Sequence, residues 1–283
     1  MVGPGRPPTT AVVTITHGRD GHLHRQRVGL VADPPGLHVV VGMAERPDLL
    51  DLAGAPPVTV RTVAVAGPGL PLAAARNAGA ETALEAGAEV LIFLDVDCIP
   101  GPRLASSYGR AAIAVSSPAL LCGPVCYLPE PPPGGYPAAV ASGDRPGTYH
   151  PGRPVPKEGE LLADSRFELF WSLSFAVTAQ TWNKLGGFHE GYVGYGAEDT
   201  DFGLSAAAAG ARLYWVGGAE AYHQYHPPSR SDPAHLTQLL RNARLFHRRH
   251  GSWPMPTWLT ELAAAGLVEF DPSRGVLHAA LPR

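Results

Sequence analysis

The chain has 283 residues, 45% of them hydrophobic, enough for one large α/β domain with an extension and a full core. Its 22 Lys and Arg against 25 Asp and Glu leave a net charge of -3, which offers no basic footprint for nucleic acid. Three cysteines (Cys98, Cys122, Cys126) are too few for a disulfide framework; read as reduced, buried thiols they suit a cytoplasmic protein.

Residues 1–10 are rich in Gly and Pro and read as a flexible terminus without the apolar core of a signal peptide. No apolar run approaches the roughly eighteen residues of a membrane span. Ala11–Thr16 reads as a first strand and ends in Thr16-His17-Gly18-Arg19. The polar segment 20–32 offers Leu23, Val28, Leu30 and Val31 to a helix face. Leu37–Val41 and Val58–Val63 read as strands, and Leu72–Ala86 as an Ala-rich helix. Apolar strands alternating with helices indicate a mostly parallel central sheet flanked by helices.

The densest signal follows. Val90-Leu91-Ile92-Phe93-Leu94 is a strand buried on both faces, and it runs straight into Asp95-Val96-Asp97. Buried carboxylates are costly unless paired or metal-bound, so these two belong at the strand's carboxyl end, where open α/β sheets bind ligands. Two hard oxygen atoms there suit Mg²⁺ or Mn²⁺, although such a pair also serves as an ordinary turn former.

Pro102–Val115 reads as a helix and Leu120–Leu128 as a strand. Pro129–Gly159, dense in Pro and Gly, reads as a long surface excursion, either a tolerated insertion or an acceptor-binding flap. Ser172–Thr178 resumes as a strand. Ala179–Leu185 is a short helix stopped by Gly186-Gly187. Glu198–Ala209 reads as a helix and Arg212–Val216 as a strand. Asp232–His250 reads as an amphipathic helix with Leu236, Leu239, Leu240 and Phe246 inward and Arg241, Arg244, Arg248 and Arg249 on a solvated face. A small helix at Thr257–Ala265 precedes a tail without a clear pattern.

Three further groups carry chemistry. The Gly-rich stretch Gly186–Ala197 leads into Glu198, Asp199 and Asp201. Such acids cap a helix start, and one of them can also act as general base on a hydroxyl. His223 and His226 follow a predicted strand at a spacing of three, and neutral imidazole is a ligand for Mn²⁺ and similar ions. Arg76-Asn77 precedes the Asp-ending strand, with Arg suited to phosphate or carboxylate and Asn to a base or ribose.

Taken in order, these pieces resemble the GT-A class of glycosyltransferases over roughly residues 11–226. The amino half is similar to family 2 glycosyltransferases in Thr16-His17-Gly18-Arg19, Ala75-Arg76-Asn77-Ala78-Gly79 and Phe93-Leu94-Asp95-Val96-Asp97. The carboxyl half resembles a galactosyltransferase-type C-terminal region in Gly187-Phe188 and in Gly194-Tyr195-Gly196-Ala197-Glu198-Asp199-Thr200-Asp201. Asp95-Val96-Asp97-Cys98-Ile99-Pro100 is also close to the matching segment of β-1,4-galactosyltransferases.

The resemblance implies a GT-A catalytic domain at 11–228 with a nucleotide-binding half (11–128), the Pro/Gly-rich loop (129–160) and an acceptor half (161–228). A helical extension, 229–283, follows. It implies Asp97 as ligand of a Mn²⁺ or Mg²⁺ ion, Asp95 near ribose or metal, and His223 as a further ligand with His226 as the substitute. Thr16, His17, Arg19, Arg76, Asn77 and Val96 would line the nucleotide-sugar donor site. Asp199 would be the base, and Glu198, Tyr195 and Gly196 would meet the acceptor, a glycan or small molecule. The implied reaction is inverting sugar transfer, with a UDP-sugar favoured. A nucleotidyltransferase, or a non-catalytic sugar-nucleotide or glycan-binding protein on the same scaffold, are the alternatives.

Overall fold

The computed structural model describes residues 6–115, 118–133, 135–136, 147–226 and 233–280. The start of the flexible terminus, much of the Pro/Gly-rich excursion and Asp232 lie outside the described residues. The amino half runs β1 (Thr10–Thr16), α1 (Asp20–Leu30), β2 (Leu37–Met43), β3 (Val58–Val63), α2 (Leu72–Glu85) and β4 (Val90–Leu94). Next come β5 (Cys98–Pro100), α3 (Leu104–Ala114), β6 (Ala119–Cys122), β7 (Val125–Tyr127), β8 (Thr148–Tyr149) and β9 (Leu161–Asp164). The rest is β10 (Ser174–Thr178), α4 (Ala179–Leu185), α5 (Glu198–Ala208), β11 (Arg212–Val216), β12 (Ala221–His223), α6 (Pro233–His250), α7 (Pro256–Ala264), β13 (Val268–Asp271) and β14 (Val276–Ala279).

An eight-stranded sheet has the order β3-β2-β1-β4-β10-β6-β11-β9, and a four-stranded sheet the order β5-β12-β7-β8. Pairing is parallel from β3 through β4 and between β6 and β11; β10 runs antiparallel to both its neighbours, and β9 to β11. The chain moves outward from β1 to β3, then returns to the other side of β1 as β4. That reversal makes the carboxyl ends of β1 and β4 a topological switch point, the place where open α/β sheets leave a crevice.

All five residues of β4 are buried, as an apolar run with a layer on each face requires. On one face Phe93 stacks on Phe175 at 4.6 Å, and Phe188 stacks on Phe202 at 4.4 Å, with Trp182 among them. This aromatic layer lies beneath the loop that leads into α5. Helix α2 comes close to β1 through Gly79, where a Cβ would sit 2.4 Å from Val13 Cγ1.

Several expectations change. The strand expected over Leu120–Leu128 is two strands in different sheets. Gly123 presses against the Ala219 carbonyl with no room for a Cβ, and Pro124 has no amide hydrogen to continue a ladder. In α1 and at its C-cap Val31, Leu23 and Leu30 are buried as expected, but Val28 and Val31 are 41% and 37% exposed, and Gln26 and Arg27 face inward instead. The patternless tail is a β13–β14 hairpin. Its Val268 and Leu277 share a small core with Leu239, Leu240, Leu259 and Leu262 of α6 and α7.

Gly to Ala within a helix ordinarily stabilises by up to about 1 kcal/mol. At Gly79 the contact with Val13 reverses the sign: Gly79→Ala is expected to destabilise by roughly 1–3 kcal/mol in urea unfolding. An unchanged or raised midpoint would show that α2 can move away from β1.

Candidate active site

Residues Asp95 to Asp97 form the turn that links β4 to β5, closed by Cys98 N donating to Asp95 O at 2.8 Å. Strand β5 leaves the main sheet and pairs antiparallel with β12, with His223 opposite Cys98. That register brings His223 Nε2 to 3.6 Å from Asp97 Oδ1, and His226 Nε2 lies 3.6 Å from Asp97 Oδ2. One ligand atom from each of Asp97, His223 and His226 lies within 4.8 Å of the others. The sequence left a choice between the two histidines; the fold presents both to the same carboxylate. Burial lowers the pKa of His223 against the pull of Asp97, which favours the neutral, ligating imidazole. A carboxylate with two imidazoles fits a divalent transition ion such as Mn²⁺ better than Mg²⁺, which favours oxygen-rich surroundings.

Asp95 is not in that group. Its Oδ1 accepts from Arg76 Nη2 at 2.9 Å, while Arg76 Nη1 donates to Glu198 Oε1 at 3.2 Å. The guanidinium is almost wholly buried and lies 5.4 Å from the centre of the Phe188 ring. Burial works against its charge, but Asp95 and Glu198 outweigh that and raise its pKa. Burial, reinforced by the neighbouring Asp199 and opposed by Arg76, pushes Glu198 up to about 7. Asp199 is also raised by burial, although its Oδ1 accepts from Thr200 N at 2.7 Å. A carboxyl raised toward neutrality is better matched to general base work than an ordinary one.

The loop ahead of α5 is held from both sides. Gly194 N donates to Leu70 O at 2.7 Å, and Tyr195 N donates to Gln238 Oε1 of α6 at 3.0 Å. Ala197 has φ of 72°, a left-handed conformation that strains a residue with a Cβ, directly before Glu198. Tyr195 is 47% exposed, and its ring meets Trp258 of α7 edge-on with centroids 6.0 Å apart. Asn77 accepts from Phe188 N at 2.8 Å and donates to Phe188 O and Glu190 Oε1, both at 2.9 Å. Its amide therefore ties α2 to this loop rather than facing the crevice.

The solvated face expected for α6 needs a correction. Arg249 Nε donates to Asp201 Oδ1 at 2.6 Å, and His250 Nε2 is 2.7 Å from the same oxygen. The Tyr192 hydroxyl donates to it at 3.0 Å. Asp201 is buried, and hydrogen bonds from Arg249 and His250, some fifty residues away in sequence, satisfy it. Arg244 Nε donates to Leu277 O at 2.8 Å, and Arg241 bonds to Val193 O. Sequence reasoning also missed His22, whose pKa falls to about 4 through burial and the charges of Arg19 and Arg25.

Thr16, His17 and Gly18 line a polar cleft of about 120 Å³ with Asp20 and residues 45–48, across the ends of β1 and β2. His17 Nδ1 lies 2.8 Å from Met43 O, and Arg19 Nη1 donates to Asp97 Oδ2 at 2.6 Å. The cleft thus joins the acidic corner through Arg19. Val96 points elsewhere, into a small cluster with Leu23 and Val40. A larger cavity of about 470 Å³ beside β9 shares no residue with any of these groups.

Residues 161–227 match the family described as the N-terminal domain of galactosyltransferase. Over 86% of its length the chain superposes on GalNAc-T7, solved with UDP, GalNAc and Mn²⁺, with a TM-score of 0.55, 15% identity and 48% of that chain covered. It superposes over the same share on S. aureus TarS 1–349, with a TM-score of 0.50, 15% identity and 72% of that chain covered. The fold is the GT-A glycosyltransferase fold. Two validoxylamine A glucosyltransferases, from Streptomyces hygroscopicus subsp. jinggangensis (strain 5008) and subsp. limoneus, are each 30% identical over 208 residues, 65% of this chain. The chain spans 46% and 43% of their respective lengths, just under half. In fold and in sequence the chain is thus similar to GT-A-like glycosyltransferases. No helix among the described residues is long and apolar enough to cross a membrane.

Two outcomes follow from this geometry. Arg249→Ala is expected to destabilise by roughly 1.5–3 kcal/mol in chemical denaturation, because it removes charge-assisted bonds to a buried carboxylate; a change within error would mean that His250 and Tyr192 suffice. The raised Glu198 makes the folded chain bind a proton that the unfolded chain releases near 4.5. Stability of the metal-free chain should therefore fall as pH rises from 4.5 to 7, by at most about 1.4 kcal/mol per unit from this group. Glu198→Gln should flatten that slope, and an identical slope in the variant would contradict the shift.

Proposed function

We propose that the chain is a metal-dependent, inverting glycosyltransferase that moves a sugar from a nucleotide-diphosphate donor, a UDP-sugar by preference, to an acceptor hydroxyl. The observation that carries this reading is the division of the acids at the switch point into two sets. Asp97 sits with His223 and His226, while Glu198 and Asp199 open α5, and Arg76 bridges Asp95 to Glu198 between them. One set suits a leaving diphosphate and the other an attacking hydroxyl.

The nucleotide end of the donor would enter the cleft lined by Thr16 and His17, with Arg19 bringing positive charge to the diphosphate. Asp97, His223 and His226 would hold a divalent cation, Mn²⁺ before Mg²⁺; when bound, it offsets the negative charge that builds on the leaving diphosphate. Asp199 takes the proton from the acceptor hydroxyl. The acceptor oxygen bonds to the anomeric carbon as the bond from that carbon to the diphosphate oxygen breaks, and the nucleoside diphosphate departs with the electron pair. Displacement from the opposite face inverts the anomeric centre.

Tyr195 and Gly196 shape the acceptor side, the exposed ring offering a flat surface to the CH face of a sugar. Glu198, buried against Arg76, acts there by holding the start of α5. The relatives' name, validoxylamine A glucosyltransferase, supports a small-molecule acceptor and a glucosyl donor. Reduced Cys98, Cys122 and Cys126 suit the cytoplasm.

The test separates the two sets of acids. Asp199→Asn should retain Mn²⁺-dependent binding of UDP in calorimetry while transfer from UDP-glucose falls by at least about a hundredfold, in the range of general base loss. Asp97→Asn should lose the Mn²⁺-dependent binding itself. Full transfer by both variants would contradict the assignment.

A further inference from the structure

The Asp95–Asp97 corner is held by a side chain outside every motif described above. Gln26, on the buried side of α1, has no exposed surface. Its Nε2 donates to Asp95 O at 2.8 Å and to Cys98 O at 3.1 Å. These carbonyls stand at the two ends of the turn that carries Asp97, so one amide grips both.

The orientation of that amide is fixed from behind. Thr14 Oγ1, in the middle of β1, donates to Gln26 Oε1 at 2.8 Å, and His38 Nε2 of β2 lies 3.1 Å from Thr14 Oγ1. All three residues have no exposed surface. Burial lowers the pKa of His38 to about 3, so the ring is neutral. Its Nδ1 has no partner among the described residues, which leaves Nε2 to carry the hydrogen. The relay then runs one way: His38 N–H to the Thr14 hydroxyl, the Thr14 hydroxyl to the Gln26 carbonyl, and the Gln26 NH₂ to the corner. A flipped amide would set its oxygen against two carbonyl oxygens, with no hydrogen between them. Main-chain bonds also reach the turn from the strand side, Gln224 N to Asp97 O at 2.7 Å and Asp95 N to Leu173 O at 3.0 Å.

We propose that Gln26 is a positioning residue for the cation site, fixing the turn so that Asp97 faces His223 and His226. This rests on the metal reading given above for those three residues. Partners that orient the ligands of a metal from behind typically alter its affinity about 10- to 100-fold when removed.

The test uses the full chain, with Mn²⁺ titrated in the presence of a fixed concentration of UDP, free Mn²⁺ read by electron paramagnetic resonance, and metal-free melting curves recorded in parallel. Gln26→Met keeps the length of the side chain without its amide, and should raise the Mn²⁺ Kd by about tenfold or more. Gln26→Asn, which keeps an amide one methylene too short to span both carbonyls, should shift the Kd the same way and serves if the first variant does not fold. Thr14→Val breaks the same buried relay but leaves both amide hydrogens on the corner; it should lower Tm while Mn²⁺ affinity stays close to that of the unaltered chain. Equal Kd shifts in Thr14→Val and the Gln26 variants would overturn the proposal, because general loosening would then account for them. Unchanged affinity in both Gln26 variants would overturn the role of Gln26 and leave the metal site standing. No Mn²⁺ binding by the unaltered chain would overturn both.

Discussion

A buried guanidinium needs carboxylates, and buried carboxylates need a cation; Arg76 meets both demands at once. It joins Asp95, at the end of β4, to Glu198, at the start of α5, across 103 positions of sequence between those acids. Without such a bridge the two acidic turns would repel each other at the switch point. With it they are held side by side. The aromatic layer of Phe188, Phe175 and Phe93 supports this arrangement from below, and Phe188 lies directly against the guanidinium.

The same logic extends outward. Asp97 is served by a second strand, β12, because β5 leaves the main sheet and pairs there. The α5 end is served by α6, which reaches Asp201 through Arg249 and His250, and the Gly-Tyr-Gly loop through Gln238 and Asn242. The C-terminal helices are thus packed onto the α5 side of the crevice rather than appended to it. A site that must hold charge in a dry setting relies on hydrogen-bonded supports from distant parts of the chain.

Much of this was legible in the residues because the strongest signals were local. An apolar run ending in Asp95 and Asp97 is visible in a dozen letters, and so is a Gly-rich loop ending in Glu198 and Asp199. The short helix stopped by Gly186 could be read from its C-cap. What depends on pairing was not legible. Choosing between His223 and His226 requires knowing that β12 lies against β5. Asn77 has the chemistry to meet a nucleotide, yet a loop 111 residues away takes its amide. Arg249 belongs to the polar side of a helical wheel, and nothing nearby reveals that buried Asp201 needs it. Gln26 was not legible because apolar periodicity marks a helix's buried face by residues such as Val28 and Val31, whereas here a buried amide makes the contact.

The proposed function requires that the Asp95–Asp97 corner and β12 together form a cation site beside the cleft at the ends of β1 and β2. A crystal structure with UDP and Mn²⁺, with anomalous data collected at the manganese edge, tests it most directly. The expected result is an anomalous peak bounded by Asp97, His223 and His226, with the diphosphate next to it. UDP bound in the crevice with no peak there, or a peak among other residues, would contradict it.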